Sequence, residues 1–503
     1  MRIVNATIMT GDASRPVVHE LAVVNGRVVD WSDGPLLDLK GAFVMPGFND
    51  AHVHVWKVGH LLTSLIDLRA VTDISELQAA LRDAQGDGWV LGRGFNEAHM
   101  RERRMPTRAD LDAAVADRPV MLTRTCGHIA VANSRALAMA GVAANSDAPP
   151  GGAIRRDPSG EPSGVLEETA MGLVSKHVPP PTAAEYERMI LAAARRHLGL
   201  GITSATEAGV TPDILAAYRD LEARGLLPYR VNVLAMRRPL GSDEVFPLPE
   251  KFVSDFLRVD TVKLIVDGGL SGATAALRQP YRHAAERGVL RMETDEIVAL
   301  FEEPARMGYR LAAHAIGDAA IEVLLDAYER LKPTAPRIEH FGLPDARQIE
   351  RAQAMGAIAV PQAVFLPALG ANFRAYLPDV LLDRAYPLRD MITAGMIVAL
   401  SSDAPVVADE NPLIGIQAAV TRGDHEGRKI AADQWISMGE AFRSYTWCGA
   451  VASGDQDNRG RLMEGKWADF LVLDQDPRDV KPENLHKIKV MKTFVGGVLA
   501  YEA

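Results

Sequence analysis

The chain has 503 residues, of which 48% are hydrophobic and 24% charged, and its formal net charge is −10. That length accommodates one large domain and a smaller one, while the acidic balance and the lack of any Lys/Arg cluster exclude nucleic acid as a partner. Two cysteines far apart, Cys126 and Cys448, exclude a disulfide framework or a Cys-rich zinc site and suit a reducing cytoplasm. No apolar run approaches the ~20 residues of a membrane span, and residues 1–9 alternate like a strand, without the apolar core of a signal peptide. The expectation is a soluble cytoplasmic protein with no membrane partner.

Residues 1–46 carry short alternating runs, separated by Gly11, Asn25-Gly26 and Asp33-Gly34. Asn-Gly between apolar alternations is a hairpin signal. The far end is built alike, with runs at 468–473, 490–495 and 498–501 around Gly496-Gly497. Each end is too short for a core of its own, so a single β-sandwich made jointly by 1–46 and 459–503 is expected.

The turn Met45-Pro-Gly47 leads into Asn49-Asp-Ala-His-Val-His54. Residues two apart on a strand share a face, so His52 and His54 point the same way and can grip one divalent cation. Asp50 lies on that face and could orient a ligand. From here to 458, apolar runs alternate with helical stretches. Eight candidate strands are expected at 44–54, 202–207, 230–236, 262–267, 310–314, 337–340, 357–361 and 397–403. Helices are expected at 212–224, 319–331 (capped by Asp318) and 346–355 (opened by Pro344-Asp345). Eight strand–helix units predict an α/β fold of the (β/α)8 TIM barrel type over 47–458. The long stretch between the first two strands is punctuated by Pro106, Pro149-Pro150 and Pro179-Pro180-Pro181. It reads as an insertion at about 68–185 covering the barrel mouth.

Five strands contain or end on a possible metal ligand: His52 and His54, Lys263, His314, His340 and Asp403. In a barrel, functional groups gather at the carboxyl ends of the strands, where these fall. Lys263 stands in an otherwise apolar run. A buried ammonium is costly, and beside cations the neutral amine is favoured. That amine can add carbon dioxide to give an anionic carbamate able to bridge two metals. The alternative is a Lys263–Asp267 ion pair, since i and i+4 on a strand share a face.

With these residues in place, the chain resembles the amidohydrolase superfamily, whose pattern is His-x-His on the first strand, Lys on the fourth, His on the fifth and sixth, and Asp on the eighth. Within it the chain resembles the YtcJ-like (type 3) branch, through Gly92-Arg-Gly-Phe-Asn-Glu97, Gly127-His128 with Asn133-Ser134, and Val262-Lys-Leu-Ile-Val-Asp-Gly268. His314-Ala-Ile-Gly-Asp318, Tyr386-Pro-Leu388 and the run from Gly460 to Leu473 match it too. Cys126 departs from the branch, which usually has an acidic residue there.

The resemblance implies a metal-dependent hydrolase that cleaves an amide-type, non-peptide C–N bond of a small organic substrate through a metal-activated hydroxide. It implies one or two divalent ions per chain, zinc first among them. His52, His54, Lys263 as carbamate and Asp403 would hold one ion; Lys263, His314 and His340 the other. Asp403 would act as the proton-transferring residue, with His128 and Glu97 as substrate-binding candidates and Arg124, Phe95 and Trp56 candidates by position. The same barrel also supports ester hydrolysis, ring deamination or isomerisation, and a catalytically silent scaffold is the reading from another class. A joined terminal domain is compatible with a homo-oligomer.

Overall fold

The computed structural model describes residues 1–97, 100–125, 127, 129–149, 152–239, 243–283 and 285–503. These form two compact units, one of residues 1–56 with 190–503 and one of residues 57–189.

In the first unit, eight parallel strands pair in chain order: Phe48–Val53, Ile202–Val210, Arg230–Met236, Leu257–Ile265, Arg310–Ala315, Arg337–His340, Ile358–Val360 and Ile397–Val398. Most read as near-continuous apolar runs, and every residue of Arg230–Met236 is buried, as parallel strands covered on both faces require. The result is the expected (β/α)8 barrel. The last strand leaves the ladder after two residues, where 397–403 was expected. Its continuation nevertheless meets the first strand: Asp403 N–H donates to the His52 carbonyl at 2.8 Å, and His54 N–H to the Ala404 carbonyl at 2.9 Å.

The helices Pro212–Ala223, Asp318–Leu331 and Ala346–Ala354 follow strands two, five and six. Asp345 caps the third as expected, accepting from Gln348 N–H at 2.8 Å while Gln348 reaches back to the Asp345 N–H at 3.1 Å. Asp318, expected as a cap, is instead the first residue of its helix, with Gly317 at the cap. Its carboxylate is drawn away to Arg278 N–H and the Arg384 guanidinium.

The first expected strand, 44–54, divides at Gly47. Phe43–Pro46 joins the terminal sandwich and Phe48–Val53 the barrel. A Cβ at position 47 would run into the Thr203 side chain, so only glycine lets the chain pass from one sheet to the other here.

The sandwich has one sheet ordered Arg27–Val29, Leu21–Val24, Arg2–Val4, Leu36–Asp38. The other is ordered Val498–Glu502, Val490–Val495, Phe470–Leu473, Phe43–Pro46, Thr7–Met9, Val17–Val18. Both chain ends therefore share a sheet. Asn25 and Gly26 have φ of 48° and 77°, the double left-handed geometry that an Asn-Gly hairpin supplies. Ile3, Ile8, Val44, Phe470 and Phe494 fill the core between the sheets. Arg230 of the third barrel strand reaches Asp469, beside Phe470, with two bonds of 2.7 and 2.9 Å.

The unit of residues 57–189 is a mixed sheet ordered Gly152–Arg156, Pro162–Glu168, Ile129–Ala132, Val120–Arg124, Val90–Phe95, Ile66–Asp67. Alternation along Ile129–Ala132 sends Val131 to one core with Leu77 and Leu111, and Ala130 to another with Leu137 and Leu166. Buried Asn133 caps the helix Ser134–Met139 and also accepts from Val120 N–H. Among the described residues, no helix is long and apolar enough to cross a membrane.

Two measurements check these packing arguments. The Arg230–Asp469 pair is almost fully buried, at 3% and 5% side-chain exposure. Asp469→Ala leaves the guanidinium without its counter-charge and is expected to cost about 3–5 kcal/mol, seen as a lower denaturation midpoint, with a smaller loss for Asp469→Asn. His197 is fully buried against the Tyr229 hydroxyl, and burial pushes its pKa from 6.5 down to about 4. Because the folded value lies below the unfolded one, its contribution is intact above pH 6.5 and is lost as the pH falls toward 4. The loss is about 3 kcal/mol, so melting curves of His197→Gln should depend less on pH in that window than wild type.

Candidate metal centre

Each candidate side chain is set at the mouth of the barrel by a strand or by the turn that follows it. His52 is the penultimate residue of the first strand, 1% exposed, and His54 directly follows that strand at 16%. Both present Nε2 to the same Asp403 Oδ1, at 3.5 and 3.3 Å, with rings nearly perpendicular at 88°. Lys263, on the inner face of the fourth strand and 2% exposed, brings Nζ to 3.4 Å from His52 Nε2. The His340 ring centroid lies 4.8 Å from that of His52 and 4.4 Å from that of His314. His52, His340 and Asp403 each offer a ligand atom, and these three atoms all lie within 4.8 Å of one another.

Hydrogen bonds decide which nitrogen of each imidazole carries the lone pair. His52 Nδ1 lies 2.5 Å from Glu339 Oε2, and a carboxylate only accepts, so Nδ1 holds the proton and Nε2 the lone pair. His340 Nδ1 meets Gln362 Oε1 at 2.7 Å. Gln362 spends its NH2 on the Val360 carbonyl and Ser401 Oγ, both at 2.9 Å, which turns its oxygen toward the histidine. His314 Nε2 donates to the Gly268 carbonyl at 3.0 Å, leaving its lone pair on Nδ1.

Burial pushes the pKa of His52 and His340 below the ordinary value, helped by Lys263 at the first and His314 at the second. Burial would raise Asp403, but the hydrogen bond from His54 and the surrounding imidazoles outweigh it and hold the carboxyl well below the usual range. Glu339 is likewise held ionised by Arg337 and His52 against the effect of burial. Neutral imidazoles around a carboxylate make a donor set that suits a divalent cation.

The backbone is strained at two of these residues, with φ of 71° at His340 and 56° at Asp403, in the left-handed region that non-glycine residues rarely enter.

Asp50 does not orient an imidazole. It accepts from the N–H groups of His52 at 3.2 Å and Ser402 at 3.0 Å, tying the first strand to the eighth, and burial raises its pKa to about 7. Asp267 accepts from the N–H groups of Ala276, Ile316 and Gly317 and lies 3.2 Å from His314 Nε2. The partner of His52 is Glu339, which the sequence reading passed over. Its signal was Arg337-Ile-Glu-His340, where two opposite charges two residues apart on a buried strand must pair with each other or with something inside. Gln362 gave no comparable signal.

Glu97 lies in the unit of residues 57–189, paired with Arg124 at 2.7 and 3.0 Å. Phe95 is fully buried in that unit's core rather than lining a site. Trp56 is half-buried, its backbone N–H donating to the Glu207 carboxylate at 3.0 Å. His128 and Cys126 lie outside the described residues.

Eight parallel strands carrying this donor set at one end define a metal-dependent hydrolase of the barrel type, and the comparisons agree. Residues 36–501 match the model of the amidohydrolase family, to which the chain belongs. It is 33% identical over 520 residues to YtcJ of Bacillus subtilis (strain 168), which bears the name of an amidohydrolase; the match covers 98% of this chain and 97% of that one. It is 29% identical over 541 residues to an N-substituted formamide deformylase of Arthrobacter pascens, covering 100% and 98%. Among solved structures, an uncharacterized metal-dependent hydrolase from Pyrococcus horikoshii OT3 superposes with a TM-score of 0.81 at 28% identity, covering 96% of this chain and 98% of the other.

The left-handed backbone at Asp403 has a measurable consequence. Both Asp403→Gly and Asp403→Ala remove the carboxylate, but only glycine relaxes the φ of 56°. The metal-free glycine variant is therefore expected to be more stable than the alanine variant by about 1 kcal/mol, measured by thermal or chemical denaturation.

Proposed function

We propose that this enzyme hydrolyses an amide-type, non-peptide C–N bond of a small organic molecule, using divalent metal at the barrel mouth. The observation that carries the reading is that His52 and His54 meet at Asp403, with His340 within ligand-sharing distance of His52 and Asp403 and the Lys263 amine 3.4 Å from His52 Nε2. His52, His54, Asp403 and Lys263 as its carbamate would hold one ion, and Lys263, His314 and His340 a second. The nitrogen and carboxylate donors suit zinc as the first ion to test. Bound there, a divalent cation supplies an acidified water and polarises the scissile carbonyl.

The chain's own residues then have distinct tasks. Asp403, held ionised among the imidazoles, accepts the proton of the attacking water and delivers it to the departing amine. Lys263 contributes an anionic, two-oxygen bridge only after reaction of its amine with carbon dioxide. The chemistry of its surroundings supports this, because an unmodified ammonium would face the His52 lone pair and compete with a cation for it. Only Cys126 and Cys448 are present, which supports a cytoplasmic location.

N-substituted formamides are the first substrates to try, because a relative similar over the whole chain carries that activity in its name. The test couples amine release from a panel of small amides, esters and aminated rings to metal counting by plasma mass spectrometry. Wild type should hold about two divalent ions per chain and release amine, whereas Lys263→Ala should lose metal and activity together. A single ion unaffected by that substitution would replace the bridged site with a mononuclear one. Absence of metal after supplementation, with no turnover of any panel member, would overturn the reading.

A further inference from the structure

We infer that Glu339 is a positioning residue that presents His52 to the metal by dictating its tautomer; this rests on the metal-site reading above. Glu339 and Arg337 are both fully buried, two residues apart on the sixth strand. The guanidinium grips both carboxylate oxygens, Nε to Oε1 at 2.7 Å and Nη2 to Oε2 at 3.1 Å. The other donations go to backbone: Nη1 to the Ala452 carbonyl at 3.0 Å and Nη2 to the Ala51 carbonyl at 2.7 Å. Ala51 directly precedes His52. The arginine therefore anchors the carboxylate and the histidine's own strand to one rigid group.

On that group, Oε2 accepts the hydrogen bond from His52 Nδ1–H at 2.5 Å. A second acceptor competes for a proton on this ring, because Asp403 Oδ1 stands 3.5 Å from Nε2. Were the proton to move there, the nitrogen facing Lys263 and Asp403 would carry hydrogen and could not donate a lone pair. The shorter, charge-assisted bond to Glu339 keeps it on Nδ1. A purely structural pair would need only to neutralise Arg337; it would not need an oxygen aimed at Nδ1.

Glu339→Gln separates the two roles. An amide has one acceptor oxygen, while Arg337 and His52 ask for two. With that oxygen held by the guanidinium, the NH2 faces Nδ1 and drives the proton to Nε2. The experiment measures zinc affinity by competition with a chromophoric chelator, the absorption spectrum of the cobalt-loaded protein, and melting of the metal-free protein. Positioning predicts a folded Glu339→Gln variant whose zinc affinity at one site falls about 10–100-fold, with a changed cobalt spectrum and partial recovery in Glu339→Asp.

Should Glu339→Gln fail to fold, the double replacement Arg337→Met with Glu339→Leu removes both buried charges at once, which such cores tolerate better, and takes away the acceptor that Glu339 offers His52 Nδ1. The same loss of affinity is expected there. Wild-type affinity and spectrum in a folded variant would overturn the inference and leave the metal site standing. A wild type that binds no divalent ion would overturn both.

Discussion

Asp403 N–H donates to the His52 carbonyl, His54 N–H donates to the Ala404 carbonyl, and Asp50 accepts from Ser402 N–H. These three bonds join the first and last strands of the barrel at the level of the candidate ligands, and the placement of those ligands depends on them. Both histidines of His52-Val-His54 and the carboxylate of Asp403 are brought into register by the same backbone contacts that close the cylinder. Bringing such distant segments together costs loop entropy, but that cost rises only slowly with length. Neighbouring strands of the barrel pair in chain order, the first and second across the intervening unit of residues 57–189.

Once closed, the interior holds more charge than a hydrophobic core can carry without partners. Lys263, Arg337, Glu339, Asp50, Asp267 and Asp403 are all buried, and each anion is matched differently. Glu339 has a guanidinium and an imidazole. Asp267 has three backbone N–H donors from the turns after the fourth and fifth strands. Asp50 has two, from His52 and Ser402, and burial raises its pKa to about 7. Asp403 depends on imidazoles, which are neutral when buried and repel one another when charged. It is the anion whose present partners leave most to be gained from a cation, which is why the proposed metal belongs beside it rather than beside Asp267.

What the amino-acid sequence discloses about this arrangement follows from how each feature is encoded. His52, His54, Lys263, His314, His340 and Asp403 stand in or just after apolar strands near their carboxyl ends, and it is their order and placement together that mark them. The Asn25-Gly26 hairpin and the Asp345 capping box are likewise local, decided within four residues. The break at Gly47 is different: nothing near it in the chain reveals that Thr203, on the neighbouring strand, would meet a Cβ there. Asp318 was misassigned because its competing partners, Arg278 and Arg384, are remote in sequence. Glu339 and Gln362 belong to the same class, since their roles reside in partners 287 and 22 positions away.

The strain at His340 and Asp403 completes the physical account. A left-handed residue at a strand end turns the chain abruptly while keeping its side chain over the barrel, where a regular strand would send alternate side chains outward. Glycine adopts that turn without strain but brings no donor atom, whereas β-branched residues resist it most. Histidine and aspartate tolerate it better than most side chains and supply nitrogen or oxygen as well. The surrounding bonds hold the geometry: Gln362, itself held by Ser401 and the Val360 carbonyl, fixes the His340 ring, and the His52 carbonyl fixes the Asp403 backbone. The strained backbone at these two residues thus sets the position of two candidate ligand atoms, and strain held at such positions points to chemistry.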